Sequence, residues 1–99
     1  MPVSKSYVGD IRNGKRVGKG IFYYDNGDIY EGLWADDQMS GHGLMRYIDG
    51  AVYNGEWREG RRGGKGTMQY ADGTCYEGYW DMGQRHGFGI FTWTNKDRY

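Results

Sequence analysis

The chain is 99 residues long and contains 19 glycines, one proline, one cysteine and 17% aromatic residues. Its 13 basic and 13 acidic residues balance, so no net charge draws it toward nucleic acid or a membrane, and a single cysteine excludes an intrachain disulfide. Glycine does not recur at every third position, which excludes a collagen helix, and so much glycine disfavours a conventional helical core.

A repeat of 23 residues runs through the chain, marked by Tyr7, Tyr30, Tyr53, Tyr76 and Tyr99. In each unit glycine occupies the third, twelfth and fourteenth positions, and the fifth is tryptophan except in the first unit, where it is Ile11. Self-similarity at a fixed period is typical of a repeat architecture. The predicted organisation is an N-terminal tail over 1–6 and an array over 7–99, with units 7–29, 30–52, 53–75 and 76–98 and a fifth that starts at Tyr99.

Each unit is predicted to fold as a β-hairpin, because period-two alternation places tyrosine, glycine and tryptophan on one face over 30–34, and glycine, methionine and tyrosine on one face over 41–47. Between units, sequences such as 25–27 (Asp-Asn-Gly) suit either a two-residue turn or a three-residue loop with a left-handed glycine. We prefer the three-residue loop. It places Gly18 opposite Trp34 across the joint, where a glycine leaves room for the indole ring.

The register inside a unit is predicted from the face opposite the aromatic side chains. If Trp34 pairs with Gly41, the fourth position of each unit faces the thirteenth. Opposite charges then meet in two units and two aromatic rings meet in one, which are stabilising cross-strand combinations. The predicted pairs are Asp10–Lys19, Leu33–His42, Glu56–Lys65 and Tyr79–Phe88.

These elements predict an all-β fold, a single-layer antiparallel meander of about eight short strands in an open, elongated and twisted sheet. It is built from four tandem hairpins of 23 residues. One face carries rows of aromatic residues and glycines, and the other is mostly polar. Because an open sheet has two unpaired edges, self-association through either edge is an expectation.

The spacing resembles the membrane occupation and recognition nexus (MORN) repeat family. The resemblance rests on the Tyr-x-Gly-x-Trp segments 30–34, 53–57 and 76–80, each followed by a Gly-x-Gly such as 64–66. The sequence departs from the pattern at Ile11, at Asp37 (otherwise glycine) and at 95–96, which is Asn-Lys instead of Asn-Gly. The resemblance implies a hairpin array used for attachment in cytoskeletal, ciliary and membrane-junction scaffolds, and beside catalytic domains in some enzymes. It implies protein binding as the general role and acidic phospholipid binding as a proposed one.

No catalytic, metal or cofactor site is predicted. The glycine-rich segment 60–67 lacks the Gly-x4-Gly-Lys-Ser/Thr order of a phosphate-binding loop. His42 and His86 occupy different positions in their units with no recurring second ligand, and Cys75 aligns with small apolar strand residues. The sequence therefore favours a protein that is not an enzyme and needs no cofactor.

The aromatic face is the candidate site for a protein partner, because Tyr and Trp supply much of the binding energy at interfaces. The same side chains must hold the sheet together, yet a single sheet is expected to leave part of such a face accessible. The candidate partner-binding residues are Tyr30, Trp34, Tyr47, Tyr53, Trp57, Tyr70, Tyr76 and Trp80.

A relatively basic edge, formed by the loops inside the units, is the alternative candidate site. Each Lys or Arg near an anionic membrane contributes about 1 kcal/mol, so a few engaged cations predict weak, salt-sensitive attachment. Asp36 and Asp37 interrupt this edge. The candidate anion- or lipid-binding residues are Lys15, Arg16, Lys19, Arg61, Arg62, Lys65 and Arg85.

The sequence favours a non-catalytic scaffold that binds a protein partner through its aromatic face or sheet edge, in a cytoskeletal, ciliary or flagellar assembly. The alternatives are an adaptor on acidic phospholipid membranes and the targeting arm of a longer enzyme. Nucleic-acid binding is disfavoured by the balanced charge. No signal peptide or membrane-spanning stretch is evident, so the expected location is cytoplasmic, including the cytoskeleton or a cilium.

Overall fold

In the computed structural model, residues 6–93 are described, and they form one antiparallel sheet of eight strands with no α-helix among them. Neighbours in sequence are neighbours in the sheet, which confirms the all-β meander of tandem hairpins. The start of a fifth unit at Tyr99, the departure at 95–96 and most of the N-terminal tail lie outside the described residues. The strands are β1 (Tyr7–Arg12), β2 (Lys15–Tyr23), β3 (Ile29–Ala35), β4 (Gln38–Arg46), β5 (Val52–Arg58), β6 (Arg61–Gln69), β7 (Thr74–Asp81) and β8 (Gln84–Trp93).

Three-residue loops join the units, as predicted. In the first of them, the Tyr24 N–H donates to the Asp28 carbonyl at 2.9 Å, and the Gly27 N–H donates to the Tyr24 carbonyl at 3.0 Å. Gly27 has a φ of 107°. Such a loop needs a positive φ at this position, and glycine adopts it without steric cost because it has no Cβ. The loop fixes the predicted register between β2 and β3, in which Gly18 lies opposite Trp34.

Inside each unit the predicted register is wrong on one side of the central glycine pair. Gly32 pairs with Gly43, but Trp34 then pairs with Met39 and not with Gly41, because a bulge interrupts the ladder. Gly41 has a φ of 93°, and a left-handed residue bends β4 so that it carries extra residues against its shorter partner. The ladder partners that we predicted therefore do not form as Asp10–Lys19, Leu33–His42, Glu56–Lys65 or Tyr79–Phe88.

The bulge brings the tenth residue of each unit opposite the fifth. Both members of such a pair lie on the aromatic face, whereas a regular ladder would have paired the fifth residue with the twelfth. This change of register decides where several charged side chains lie. The observed pairs are Ile11–Arg16, Trp34–Met39, Trp57–Arg62 and Trp80–Arg85.

Glycine is required where the tyrosine rings lie flat on the backbone. At Gly66 even a Cβ atom would collide with the ring of Tyr53. The Tyr53 hydroxyl donates to the Glu56 carbonyl at 2.9 Å, and Trp57 Nε1 donates to the Gly43 carbonyl at 3.1 Å. Each ring thus buries its apolar surface while its polar atom keeps a partner.

The rings interlock edge to face in a ladder that runs along the sheet. Tyr30 contacts Trp34 and Trp57 with ring centroids 5.3 Å apart in both cases. Tyr53 contacts Trp57 and Trp80 at 5.2 Å in both cases. Each tyrosine therefore joins the tryptophan of its own unit to that of the next unit, which gives a one-layer sheet a continuous core.

Candidate functional site

Most of the candidate partner-binding residues form this core. No more than 5% of the surface of any of Tyr30, Trp34, Tyr53, Trp57, Tyr76 and Trp80 is exposed. Tyr47 and Tyr70 are half-buried. Burial raises the pKa of Tyr53 to about 12, although the nearby Arg62 guanidinium opposes the rise. Of the eight candidates, only Tyr47 and Tyr70 present substantial side-chain surface to a partner.

The accessible part of the aromatic face consists of the residues at the eighteenth position of the units and of Phe91, which belongs to β8. The residues at that position are Tyr24, Tyr47, Tyr70 and Trp93. Trp93 is 74% exposed and Phe91 is 50% exposed. Phe91 stacks on Tyr70 with centroids 6.4 Å apart. The sequence prediction missed Phe91 and Trp93, although the repeat places Trp93 in line with Tyr47 and Tyr70, which it did select.

Three of the seven candidate anion-binding residues lie over the aromatic face, and we call them the arginine row (Arg16, Arg62 and Arg85). The Arg16 guanidinium lies 4.6 Å from the ring centroid of Trp34. That of Arg62 lies 4.8 Å from Trp80. That of Arg85 lies 4.9 Å from Phe91. These are cation–π distances, so the arginines extend the aromatic surface and do not form a separate edge.

The other four candidate cations lie elsewhere. Lys19 and Lys65 stand on the opposite face of the sheet, where each lines a shallow hollow. Lys15 and Arg61 are exposed at the first residues of β2 and β6. The structure therefore does not bring the seven cations onto one surface.

Two aspartates neutralise the cations at the junction of the first and second units. Oδ1 of Asp37 accepts hydrogen bonds from Nε of Arg16 at 2.6 Å and from its backbone N–H at 3.1 Å. These bonds hold the pKa of Asp37 below its usual value. Nζ of Lys15 lies 3.0 Å from Oδ1 of Asp36. Each cation at this junction has its own carboxylate.

The junction of the third and fourth units lacks those carboxylates. Gly83 stands where the repeat places Asp37, and its carbonyl accepts a hydrogen bond from Nη2 of Arg62 at 2.7 Å. Met82 stands where the repeat places Asp36. Within residues 6–93, no carboxylate lies within ion-pairing distance of Arg61, Arg62 or Arg85. The two junctions share a geometry and differ in charge.

The sequence reasoning missed that the arginines belong to the aromatic face. One signal was available, because Arg16, Arg62 and Arg85 each occupy the tenth position of their unit. Because side chains two residues apart in a strand lie on the same face, the tenth position is expected on the same face as the glycine at the twelfth, which is the aromatic face. What alternation cannot give is the bulge, which moves the tenth position directly across from the tryptophan.

Over residues 6–93, no three His, Cys, Asp or Glu side chains gather as metal ligands would. The same residues include no helix of the length and hydropathy needed to cross a membrane.

The sequence matches a known family over nearly its whole length. The family model of the MORN repeat matches residues 7–29, 30–52, 53–75 and 76–98. The comparison with curated proteins finds no similar sequence.

Proposed function

This chain belongs to the MORN repeat family, and we propose that it binds a protein partner along the accessible part of its aromatic face. MORN repeats mediate attachment to proteins or membranes and are generally non-enzymatic modules. The observation that carries the choice of a protein is the arginine row. Arg62 stands over Trp80 near Tyr47, and Arg85 stands over Phe91, which stacks on Tyr70. Tyr, Trp and Arg are the residues that dominate protein interfaces.

Attachment to an acidic membrane receives less support. A flat bilayer contacts one side of the sheet, whereas Lys19 and Lys65 lie on the side opposite Arg16 and Arg62. Arg16 is also already paired with Asp37. Since each cation near an anionic surface contributes only about 1 kcal/mol, the few that can face a bilayer together give weak attachment.

Site-specific photocrosslinking in cells tests the proposal. A photoreactive amino acid replaces Tyr70 on the aromatic face or, as the matched control, Asn54, an exposed residue of β5 on the opposite face. We expect protein adducts from position 70 and few from position 54, with thermal melting confirming that both variants fold. Equal yields from both positions, or adducts with lipid alone, would contradict the proposal. The identity of the adducts would show whether the partner is cytoskeletal or ciliary.

A further inference from the structure

The guanidinium groups of Arg62 and Arg85 lie over aromatic rings, and most of their N–H donors have no acceptor among residues 6–93. Arg62 stacks on Trp80 and gives one hydrogen bond to the Gly83 carbonyl. The Arg85 side chain stacks on Phe91, and its guanidinium makes no hydrogen bond to any residue within 6–93. A guanidinium carries five N–H donors in its plane, and stacking on a ring leaves the edge of that plane open to a carboxylate.

The two arginines occupy the same position of consecutive units, and each guanidinium lies near the tyrosine that begins its own unit. Arg62 lies 5.8 Å from the ring of Tyr53, and Arg85 lies 5.6 Å from that of Tyr76. One repeat advances by about 10 Å, which is two strand spacings and agrees with the two steps of 5.2 Å that join Trp57 to Trp80 through Tyr53. A chain in the extended polyproline II conformation rises about 3.1 Å per residue with three residues per turn, so side chains three residues apart lie on one side of it, about 9 Å apart, and match this spacing.

Apolar and hydroxyl groups accompany the two cations. The ring centroid of the half-buried Tyr47 lies 6.0 Å from the Arg62 guanidinium. The half-exposed Phe91 lies beside the Arg85 guanidinium, and the exposed Trp93 lies two residues beyond Phe91 on β8. The Tyr47 and Tyr70 hydroxyls have no hydrogen-bond partner within residues 6–93. A ligand for this surface therefore carries negative charge and apolar side chains together.

We propose that the partner presents an acidic segment in the extended polyproline II conformation, with two carboxylates three residues apart that pair with Arg62 and Arg85 and an apolar side chain that packs on Phe91 and Trp93. The inference rests on the proposed function and adds the chemistry of the partner. Glu59 and Asp81 line the hollow beside Arg62 and reduce its field. Neither of them forms an ion pair with it.

The chain supplies a test variant of its own. Gly83 has a φ of 84°, and a Cβ built there meets no atom within 4 Å. Asp37 occupies the equivalent position with a φ of 70°, so an aspartate fits this backbone. In Gly83→Asp the new carboxylate should pair with Arg62 as Asp37 pairs with Arg16. Gly83→Asn is the matched control of the same shape without the charge.

The experiment is an NMR titration of the folded chain with a short synthetic peptide containing Glu-Pro-Pro-Glu. Its polyproline conformation rises about 3.1 Å per residue, which sets the carboxylates about 9 Å apart on one side. We expect the Nε–Hε signals of Arg62 and Arg85 to shift while that of Arg16 stays. Affinity should fall about fivefold in Gly83→Asp, the effect of losing one partly exposed ion pair. It should be unchanged in Gly83→Asn and weaken with salt.

Three results would overturn the inference. The first is the absence of shifts at Arg62 and Arg85, or equal shifts at all three arginines. The second is undiminished binding of a Gln-Pro-Pro-Gln peptide. The third is binding to phosphatidylserine vesicles that Gly83→Asp abolishes while the acidic peptide produces no shift, which would assign the arginine row to lipid.

Photocrosslinking separates this inference from the proposed function. Protein adducts from position 70 that persist unchanged in Gly83→Asp would leave the proposed function standing and refute the acidic segment. An absence of protein adducts from position 70 in the otherwise unchanged chain would refute the proposed function itself.

Discussion

The junction between the first and second units and the junction between the third and fourth have the same geometry and a different charge balance. At each, an arginine stacks on the tryptophan of the next unit, Arg16 on Trp34 at 4.6 Å and Arg62 on Trp80 at 4.8 Å. Arg16 is neutralised by Asp37, whereas no carboxylate among residues 6–93 lies within ion-pairing distance of Arg62. Positions shared by all units build the sheet, whereas a difference at one position decides which arginine is held by a carboxylate.

The shared geometry predicts that the two tryptophans stabilise the fold equally. Trp34→Ala and Trp80→Ala should each lower the free energy of unfolding by about 3–5 kcal/mol, because each removes a large buried ring. Trp93→Ala is the control, since that ring is 74% exposed and its loss should change stability by no more than about 0.5 kcal/mol. Urea denaturation measures all three. A Trp34→Ala variant as stable as Trp93→Ala would show that the junctions are not equivalent in packing.

Glycines under the rings should distinguish the end of the array from its middle. Gly66→Ala should cost about 1–3 kcal/mol, because its methyl group collides with the fully buried ring of Tyr53. Gly20→Ala should cost less, since it collides with Tyr7, which is only half-buried and lies on an edge strand. Gly63→Ala should be nearly neutral, because its Cβ would make ordinary contacts with Arg58 at 3.4 Å. Thermal melting of the three variants would contradict this ranking if Gly63→Ala were the least stable.

The stability of the fold at alkaline pH tests the burial of Tyr53, which lies beside Arg62. Burial raises the pKa of Tyr53 to about 12, so between pH 10 and 12 the unfolded chain loses this proton before the folded chain does. The free energy of unfolding should therefore fall as pH rises through that window. In Tyr53→Phe, the part of the slope that this hydroxyl causes should vanish, at the cost of its hydrogen bond to Glu56. An identical slope in both proteins would contradict the assignment.

The smallest expected effect is the acid dependence of the first junction. Hydrogen bonds from Arg16 lower the pKa of Asp37, so its contribution to stability is present above the usual aspartate pKa near 4 and is lost as pH falls through the lowered value. Asp37→Asn should flatten this acid limb slightly. Unfolding free energies measured from neutral to acid pH would oppose the account if the variant lost stability as steeply as the parent chain.

The repeat and its loops could be predicted because both follow from local sequence. The spacing of glycine and tryptophan defines the units. A three-residue loop was predicted because it puts the tryptophans and the paired glycines on the same face of the sheet, and it places Gly18 opposite Trp34. The bulge inside each unit could not be predicted. Glycine at Gly41 permits a φ of 93° but does not require it, so the sequence alone is compatible with a regular ladder as well.

The burial of the aromatic face and the place of the arginines depend on that bulge. It sets Arg62 across from Trp57, and its guanidinium then reaches Trp80 of the next unit. The edge-to-face contacts that bury the six core rings involve neighbouring units, so no pattern within one unit gives them. The charge difference between the junctions was visible in the sequence as Asp37, but its consequence required the ion pair with Arg16.

We infer that a carboxylate at the eighth position of a unit pairs with the arginine of the preceding unit, as Asp37 does with Arg16, and so prevents that arginine from binding a partner. Exchanging these residues in the double variant Asp37→Gly, Gly83→Asp tests it most directly, with the Glu-Pro-Pro-Glu peptide titrated against the Nε–Hε signals of both arginines. We expect the response of Arg62 to drop and a response of Arg16 to appear, smaller than the original response of Arg62 because Met39, and not an arginine, lies one unit after Arg16. An unchanged response at Arg62, or a silent Arg16, would contradict it.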